Sequence, residues 1–305
     1  ADIDRGGVFA QIIGTLDLLG PQERARVRGI VVNKFRGDAA LFEDGVRFLE
    51  ARTGIPVLGV VPFVRDCRLE QEDGLPSDVG RPASFSATTV NLGVVLLPRM
   101  SNVTDFLALA AEPDVALRYV RTPGELADAD VVIIPGTKNT FADLCYVRDA
   151  GFTSRLTRHV EAGGELVGIC GGYQMLGRTL SDPEGLEQGG ELDGLGHLDV
   201  ATIWQAPKIC RQVEGQVIEF DGLSGLSITG YEIHAGRTVN RAAPCFRIRP
   251  RKAGPSDVRP VTPDWETDGS IAPGGLVWGT GVHGVFDTPT FRRAWLNRVR
   301  QRKGL

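Results

Sequence analysis

Short apolar runs alternate with amphipathic stretches in the first part of the chain. Residues 29–35 and 56–63 are mostly apolar, and residues 38–54 between them carry apolar side chains at helical spacing. An aspartate opens that middle stretch and a glycine closes it, as is typical of a capped helix. The order strand, helix, strand at this spacing predicts a parallel α/β unit.

A second set of apolar runs predicts a second parallel sheet. Residues 90–98, 130–136 and 165–170 are apolar runs with one polar residue each, and they end in Gly, Pro or Cys. Strands of this kind are buried on both faces, as in the parallel sheets of α/β proteins. The segment 72–89 lacks periodicity and is rich in Gly, Pro, Ser and Asp, which indicates a boundary. We therefore expect two domains, residues 1–80 and residues 88–305.

The pattern changes from about Gly215 onward. The segments become shorter and mix polar with apolar residues, which favours antiparallel strands. Residues 291–304 have the spacing of a basic amphipathic helix. The predicted fold class is therefore α/β, with an antiparallel addition in the last third of the chain.

The amino-acid composition excludes several classes of protein. The 305 residues are 42% hydrophobic and 24% charged, as in a globular protein, and the net charge of −4 argues against an extended nucleic-acid surface. No apolar run approaches the roughly 18 residues of a membrane span. The five cysteines are scattered, without CxxC or metal-ligand spacing, and no signal peptide is visible. We expect free thiols in a reducing cytoplasm and no bound metal.

Cys170 is the strongest candidate for chemistry. It follows an apolar run directly, with Gly168 before it and Gly171 and Gly172 after it. Small residues at these positions permit the tight strand-to-helix turn of a nucleophile elbow. A helix N-terminus favours the thiolate, and the Gly171 N–H could stabilise an oxyanion. The alternative is a buried structural cysteine at a strand end, which this context disfavours.

A cysteine nucleophile needs a base, and the chain has four histidines. His283 follows a Gly-rich, strand-like stretch and is favoured, while His234 in GYEIHAGRT remains the alternative. His159 lies in a helical stretch, where we expect a solvated or capping role, and His197 lies in a Gly-rich loop. A second oxyanion donor is expected from Gly136, after a buried strand, although an ordinary turn would look the same.

The first residues combine two carboxylates, a guanidinium and glycines. Asp2, Asp4 and Arg5 suit Mg²⁺ together with a phosphate or carboxylate, although a solvated turn has the same composition. Asn33 and Lys34 follow a buried strand in a segment similar to the purine-reading loop of P-loop enzymes. No GKS or GKT phosphate loop occurs in the sequence.

Seven segments in order resemble the cobyric acid synthase (CobQ) family of glutamine-dependent amidases. They are ADIDRGGVFA, GIVVNKFRGD, LPRMSNVTDF, IIPGTKNT, GICGGYQMLG, GYEIHAGRT and GVHGVFD. The resemblance implies a P-loop-type ATPase domain, similar to dethiobiotin synthetase, followed by a class I glutamine amidotransferase domain. Family members use ATP, Mg²⁺ and glutamine-derived ammonia to amidate corrin carboxylates. The implied substrate is adenosylcobyrinic acid a,c-diamide and the implied product is adenosylcobyric acid.

The resemblance also assigns roles and sets limits. It implies Cys170 as nucleophile and His283 as its base, in agreement with the spacing. Because the family's phosphate loop lies upstream of DIDRGG, we expect a fragment that acts as a glutaminase only and binds Mg·ATP weakly. Many class I glutaminases place a Glu two residues after the histidine, where this chain has Val285. The resemblance therefore implies a dyad or a different orienting group, such as another carboxylate or a backbone carbonyl.

Three alternatives stay open. Cobyrinic acid a,c-diamide synthase shares both domains, although DIDRGG and GYEIHAGRT favour the cobyric acid synthase family. A related cell-wall glutaminase subunit would lack the ATPase segments. A non-catalytic binding fragment is disfavoured by the presence of both Cys170 and His283.

Overall fold

The computed structural model describes residues 1–64, 84–251 and 264–305. The chain divides into two units, Ala1–Leu69 and Glu70–Leu305. Cys67 and most of the expected boundary segment 72–89 lie outside the described residues. The domain ranges 1–80 and 88–305 therefore stay a prediction.

The first unit has the predicted strand–helix–strand order. Its elements are α1 (Val8–Leu18), α2 (Pro21–Arg24), β1 (Ile30–Phe35), α3 (Glu43–Thr53) and β2 (Val57–Pro62), with 3-10 turns at Ile3–Arg5 and Ala39–Phe42. β1 and β2 pair in parallel. The Asp38 side chain caps the second 3-10 turn rather than α3, so the predicted single helix is two elements. Apolar side chains of α1, β1 and α3 form the core of this unit.

The second unit contains the remaining elements. Its helices are α4 (Leu107–Ala110), α5 (Thr140–Asp149), α6 (Phe152–Glu161), α7 (Gly171–Met175) and α8 (Pro289–Lys303), with 3-10 turns at Val103–Phe106, Pro123–Leu126 and Val285–Asp287. Its strands are β3 (Val90–Val95), β4 (Val115–Val120), β5 (Val131–Ile134), β6 (Glu165–Ile169), β7 (Thr179–Asp182), β8 (Gly190–Asp193), β9 (Val200–Ile203), β10 (Ile209–Val217), β11 (Ser227–His234), β12 (Arg237–Asn240), β13 (Phe246–Pro250), β14 (Glu266–Asp268), β15 (Ser270–Ile271), β16 (Val277–Thr280) and β17 (Val282–His283).

A six-stranded sheet forms the centre of this unit, in the order β15-β16-β6-β5-β3-β4. All its pairings are parallel except that of β15 with β16. Every residue of β3, β5, β6 and β16 is buried, which is the reason their sequences are mostly apolar. The prediction of a buried parallel sheet is confirmed.

Two smaller sheets complete the unit. The predicted antiparallel segments form a five-stranded sheet in the order β14-β13-β10-β11-β17. A four-stranded sheet has the order β12-β9-β7-β8. Gly281 alone separates β16 in the six-stranded sheet from β17 in the five-stranded sheet. The chain thus passes from one sheet to the other two residues before His283.

The closing helix α8 packs one apolar face on the six-stranded sheet, with Phe291, Trp295, Leu296 and Val299 buried. Polar groups of the same helix reach the buried carboxylate of Glu165 in β6. The indole of Trp295 donates to its Oε1 at 2.7 Å, and Arg298 and Arg302 pair with its Oε2. The indole of Trp278, on β16, also donates to Oε1, at 2.6 Å. Within the described ranges, no helix is both long and apolar enough to cross a membrane.

Candidate active site

Cys170 occupies the turn between β6 and α7. Its φ of 50° and ψ of −109° are unusual for a residue with a side chain. Such backbone strain is characteristic of a nucleophile held on a strand-to-helix elbow. The Cys170 N–H donates to the Thr280 carbonyl at 2.8 Å, which ties the turn to β16. The side chain is 7% exposed.

The glycines around Cys170 allow close backbone packing. A Cβ at Gly172 would overlap the Ile134 carbonyl oxygen of β5. A Cβ at Gly168 would lie 2.7 Å from the Tyr173 backbone nitrogen. Side chains at either position would force the helix away from the strand, so the small residues of the motif are a steric requirement of this turn.

His283 lies beside Cys170, close enough for the imidazole to interact with the sulfur. The ring Nδ1 is 2.7 Å from the Asp105 Oδ2, which leaves Nε2 for the sulfur. Burial lowers the pKa of His283, but the hydrogen bonds and negative charges of Asp105 and Cys170 outweigh it and raise the pKa to about 10. The arrangement stabilises an imidazolium next to the sulfur.

Asp105 is the residue that sequence reasoning did not name. It lies on the 3-10 turn Val103–Phe106 and is 3% exposed. Its second oxygen accepts from the Gly284 N–H at 2.8 Å, so one carboxylate holds both the imidazole and the backbone after it. The expected orienting group is thus a carboxylate from another part of the chain. Nothing in the periodicity around Asp105 signals this contact.

The other histidines have different partners. His234 lines the same cavity as Cys170, but its Nδ1 faces the Gly236 carbonyl at 3.1 Å and its Nε2 faces Glu232 at 3.3 Å. The expectation that His159 is solvated is wrong. Its ring is 4% exposed, and its Nε2 lies 3.0 Å from the Glu165 carbonyl because the end of α6 packs on the start of β6.

Gly136 and Gly171 both lie next to the Cys170–His283 pair. A Cβ at Gly136, directly after β5, would be 2.8 Å from the Cε1 of His283. Gly171 is the first residue of α7, and first-turn amides of a helix have no intrahelical acceptor. The structure therefore brings the two expected oxyanion donors to the same corner of the site.

A cavity of about 920 Å³ opens on Cys170 and is rich in charged side chains. Arg211 bridges Glu232 and Glu266 at 2.6 Å each. Burial raises the pKa of Asp268 to about 6, and the nearby charge of Glu232 adds to this rise. Hydrogen bonds from His234 and Arg211 outweigh burial at Glu232 and lower its pKa. The cavity that opens on the Cys170 sulfur is thus lined by both positively and negatively charged side chains.

The N-terminal candidates cluster within the first unit. The Asp2 carboxylate lies 2.8 Å from the Lys34 Nζ and 3.8 Å from the Arg5 Nε. The Asp2 backbone also pairs with that of Asn33 in an isolated parallel β-bridge. Lys34 has a left-handed φ of 61°.

Asp4 pairs with Arg36 instead, at 2.8 and 3.0 Å. These ion pairs lower the pKa values of both carboxyl groups. Among the described residues, no group of three or more His, Cys, Asp or Glu could hold a metal ion.

Comparison with protein families identifies both units. Residues 91–291 match the CobB/CobQ-like glutamine amidotransferase domain. Residues 2–76 match the CobQ/CobB/MinD/ParA nucleotide binding domain. The predicted order of a nucleotide-binding domain followed by a glutamine amidotransferase domain is thereby confirmed.

Similar proteins have been named in several bacteria. The chain is 47% identical over 311 residues to a cobyric acid synthase of Klebsiella pneumoniae strain 342, covering 100% of this chain and 59% of that protein. It is 46% identical over 312 residues to a cobyric acid synthase of Pelotomaculum thermopropionicum, covering 58% of that protein. The chain therefore spans somewhat more than half the length of these relatives.

A solved structure shares the fold. A chain of PurLQS from Thermotoga maritima superposes with a TM-score of 0.51 at 19% identity, covering 69% of this chain and 99% of that one. At this identity the likeness concerns the fold alone.

Proposed function

Because this chain belongs to the CobB/CobQ-like glutamine amidotransferase family, we propose that its second unit hydrolyses glutamine through Cys170. The observation that carries this proposal is the buried series in which Asp105 hydrogen-bonds to His283 and His283 lies beside Cys170. It supports a thiolate–imidazolium pair at a strained elbow, which is the arrangement that cysteine nucleophiles require.

The chemistry follows from this geometry. The Cys170 thiolate attacks the side-chain amide carbon of glutamine, and the amides of Gly171 and Gly136 stabilise the oxyanion. His283 donates its proton to the departing ammonia as the tetrahedral intermediate collapses to a thioester. The neutral imidazole then removes a proton from water, which attacks the thioester and releases glutamate. Asp105 keeps the ring oriented and its charge compensated throughout.

For the complete protein, we propose the activity of cobyric acid synthase. The names of relatives at 45–47% identity support this assignment. The ammonia would amidate side-chain carboxylates of adenosylcobyrinic acid a,c-diamide after ATP activates them by phosphoryl transfer. The compartment would be the cytoplasm. Cobyrinic acid a,c-diamide synthase is the competing activity, and amidation assays of the full-length protein with both corrinoid substrates distinguish the two.

The first unit would contribute to the ATP side of this reaction. The match to a nucleotide binding domain supports ATP as the second substrate. Oxygen ligands suit Mg²⁺, so Asp2 and Asp4 are the residues of this unit that would face the ion, although each is paired here with a cation, Lys34 or Arg36. Lys34, Arg5 and Asn33 offer donors for phosphate or a substrate carboxylate. We expect weak binding of Mg·ATP to this chain, and calorimetry that shows tight binding would contradict the proposal.

The test of the glutaminase proposal is glutamate release from glutamine by the purified chain. Wild-type turnover that disappears in Cys170→Ala supports it. A chain that binds glutamine without hydrolysing it, even when the complete protein is assayed, would instead be a non-catalytic binding module.

A further inference from the structure

The hydrogen bond to Asp105 does not by itself determine the plane of the His283 ring. One in-plane hydrogen bond fixes the direction of Nδ1, but the χ2 torsion of histidine is broad and the ring can still tilt about that bond. A tilt would move Nε2 away from the sulfur of Cys170. Catalysis through this pair therefore requires a second contact that restrains the face of the ring.

Tyr231 supplies a contact with that face. Its ring centroid lies 5.3 Å from that of His283, and the two planes differ by 21°. The residues are register partners in the antiparallel pair of β11 and β17, so their side chains emerge on the same side of the sheet. An imidazolium above an aromatic ring is also favoured electrostatically. The stack therefore restrains the tilt of the imidazole.

The far end of Tyr231 is anchored in turn. Its hydroxyl accepts a hydrogen bond of 2.6 Å from the Asn102 Nδ2. Asn102 has a left-handed φ of 57° and directly precedes the 3-10 turn that carries Asp105. One short segment thus holds the edge of the imidazole through Asp105 and its stacked neighbour through Asn102.

We propose that Tyr231 and Asn102 are positioning residues, which hold the His283 ring in the plane that directs its Nε2 to Cys170. This inference rests on the proposed glutamine hydrolysis. The Tyr231 hydroxyl is bonded to Asn102, so the ring, and not the hydroxyl, contacts His283 and positions it.

Three variants separate the ring from its anchor. Tyr231→Leu removes the stacked ring, whereas Tyr231→Phe and Asn102→Gly remove the anchoring hydrogen bond and keep the ring. Glycine is chosen at position 102 because it tolerates the left-handed φ. We expect Tyr231→Leu to lower kcat for glutamine hydrolysis about tenfold or more, with KM within about twofold. The other two should each lose about threefold, because they break the same bond. Tyr146→Leu is the matched control, since Tyr146 lies on α5 with its ring tilted against Phe152.

A second measurement separates this inference from the proposed function. The rate of Cys170 alkylation by iodoacetamide, followed against pH, reports on the thiol–imidazole pair without glutamine. We expect its profile to shift in Tyr231→Leu and not in Tyr146→Leu. If the wild-type chain hydrolyses no glutamine but this shift occurs, the glutaminase proposal fails and the positioning role stands.

Other outcomes overturn the inference. A folded Tyr231→Leu with the wild-type kcat and alkylation profile would show that the stack positions nothing. A Tyr231→Phe loss as large as that of Tyr231→Leu would assign the effect to the hydroxyl. If circular dichroism shows that Tyr231→Leu is unfolded, the test rests on Tyr231→Phe and Asn102→Gly. A matched loss in kcat with unchanged KM in these two variants supports the inference, and an unchanged kcat contradicts it.

Discussion

Asp105 and His283 lie 178 positions apart in the sequence and share a buried hydrogen bond of 2.7 Å. The position two residues after His283 is the buried Val285, which has no group to offer an imidazole. The carboxylate comes instead from the 3-10 turn Val103–Phe106, which follows β3 in the chain. In the sheet, β6 and β5 lie between β3 and β16, the strand that precedes His283. The orientation of the His283 ring therefore depends on the assembly of β16, β6, β5 and β3 into one sheet.

Replacement of this carboxylate should impair turnover. We expect Asp105→Asn to lower kcat for glutamine hydrolysis by at least about 100-fold, because an amide cannot compensate an imidazolium and can favour the wrong tautomer. Asp149→Asn, at the exposed end of α5, is the control and should retain wild-type activity. Steady-state glutamate release measures both. A near-normal rate in Asp105→Asn would remove Asp105 from the mechanism.

The same pair should affect stability against pH. The pKa of His283 rises from its ordinary value of 6.5 to about 10 on folding. A raised folded-state pKa contributes stability that is complete below the unfolded value and is lost as pH rises through the folded value. The free energy of unfolding should therefore fall between about pH 6.5 and 10. Urea titrations across this pH range should show a smaller fall in the free energy of unfolding for Asp105→Asn than for the wild type. An equal fall in the two proteins would show that Asp105 does not raise the pKa of His283.

Cys170 should be the thiol on which hydrolysis depends. We expect Cys170→Ala to abolish glutamate release, since no other described cysteine lies on a strand-to-helix elbow. The exposed Cys210 provides the matched control, and Cys210→Ala should retain most activity. Cys67→Ala, Cys145→Ala and Cys245→Ala should do the same. Comparable loss from any of these, or turnover by Cys170→Ala, would displace the nucleophile.

Gly136 should be intolerant of a side chain for a catalytic reason. A Cβ there would lie 2.8 Å from the His283 Cε1, so Gly136→Ala should push the ring and lower kcat about tenfold or more, with a small change in thermal midpoint. Gly124→Ala has no atom within 4 Å of the added Cβ and serves as the control. Wild-type kcat in Gly136→Ala would show that the ring has room to move.

Loss of the Glu165 charge should destabilise the second unit. The carboxylate is fully buried and pairs with Arg298 and Arg302 of α8. In Glu165→Gln the side chain cannot neutralise these cations, and we expect a cost of about 3–5 kcal/mol in the free energy of unfolding. Glu161→Gln, at an exposed position of α6, should change it little. If denaturant titration gives the same free energy of unfolding for the two variants, the charge of Glu165 does not stabilise the unit.

Sequence patterns predicted the parts of this protein in which local signals agree with the fold. The buried strands β3, β5 and β6 are mostly apolar, and the glycines around Cys170 permit a tight turn. Asp105 was not predicted as a site residue, because its contact with His283 arises only when distant parts of the chain assemble. His159 was misjudged for a related reason: helical spacing does not reveal that the end of α6 packs on the start of β6. Polar groups that are buried by distant elements leave no periodic signal.

The contacts of Glu165 with α8 also constrain the order of events during synthesis. Trp295 follows Glu165 by 130 positions, so the ribosome must add that length of chain before the indole can reach the carboxylate. A buried carboxylate without its donors is costly, and β6 therefore lacks its full complement of partners until α8 has emerged. Because Cys170 directly follows β6, the strand that leads to the proposed nucleophile is complete only after α8 has been translated.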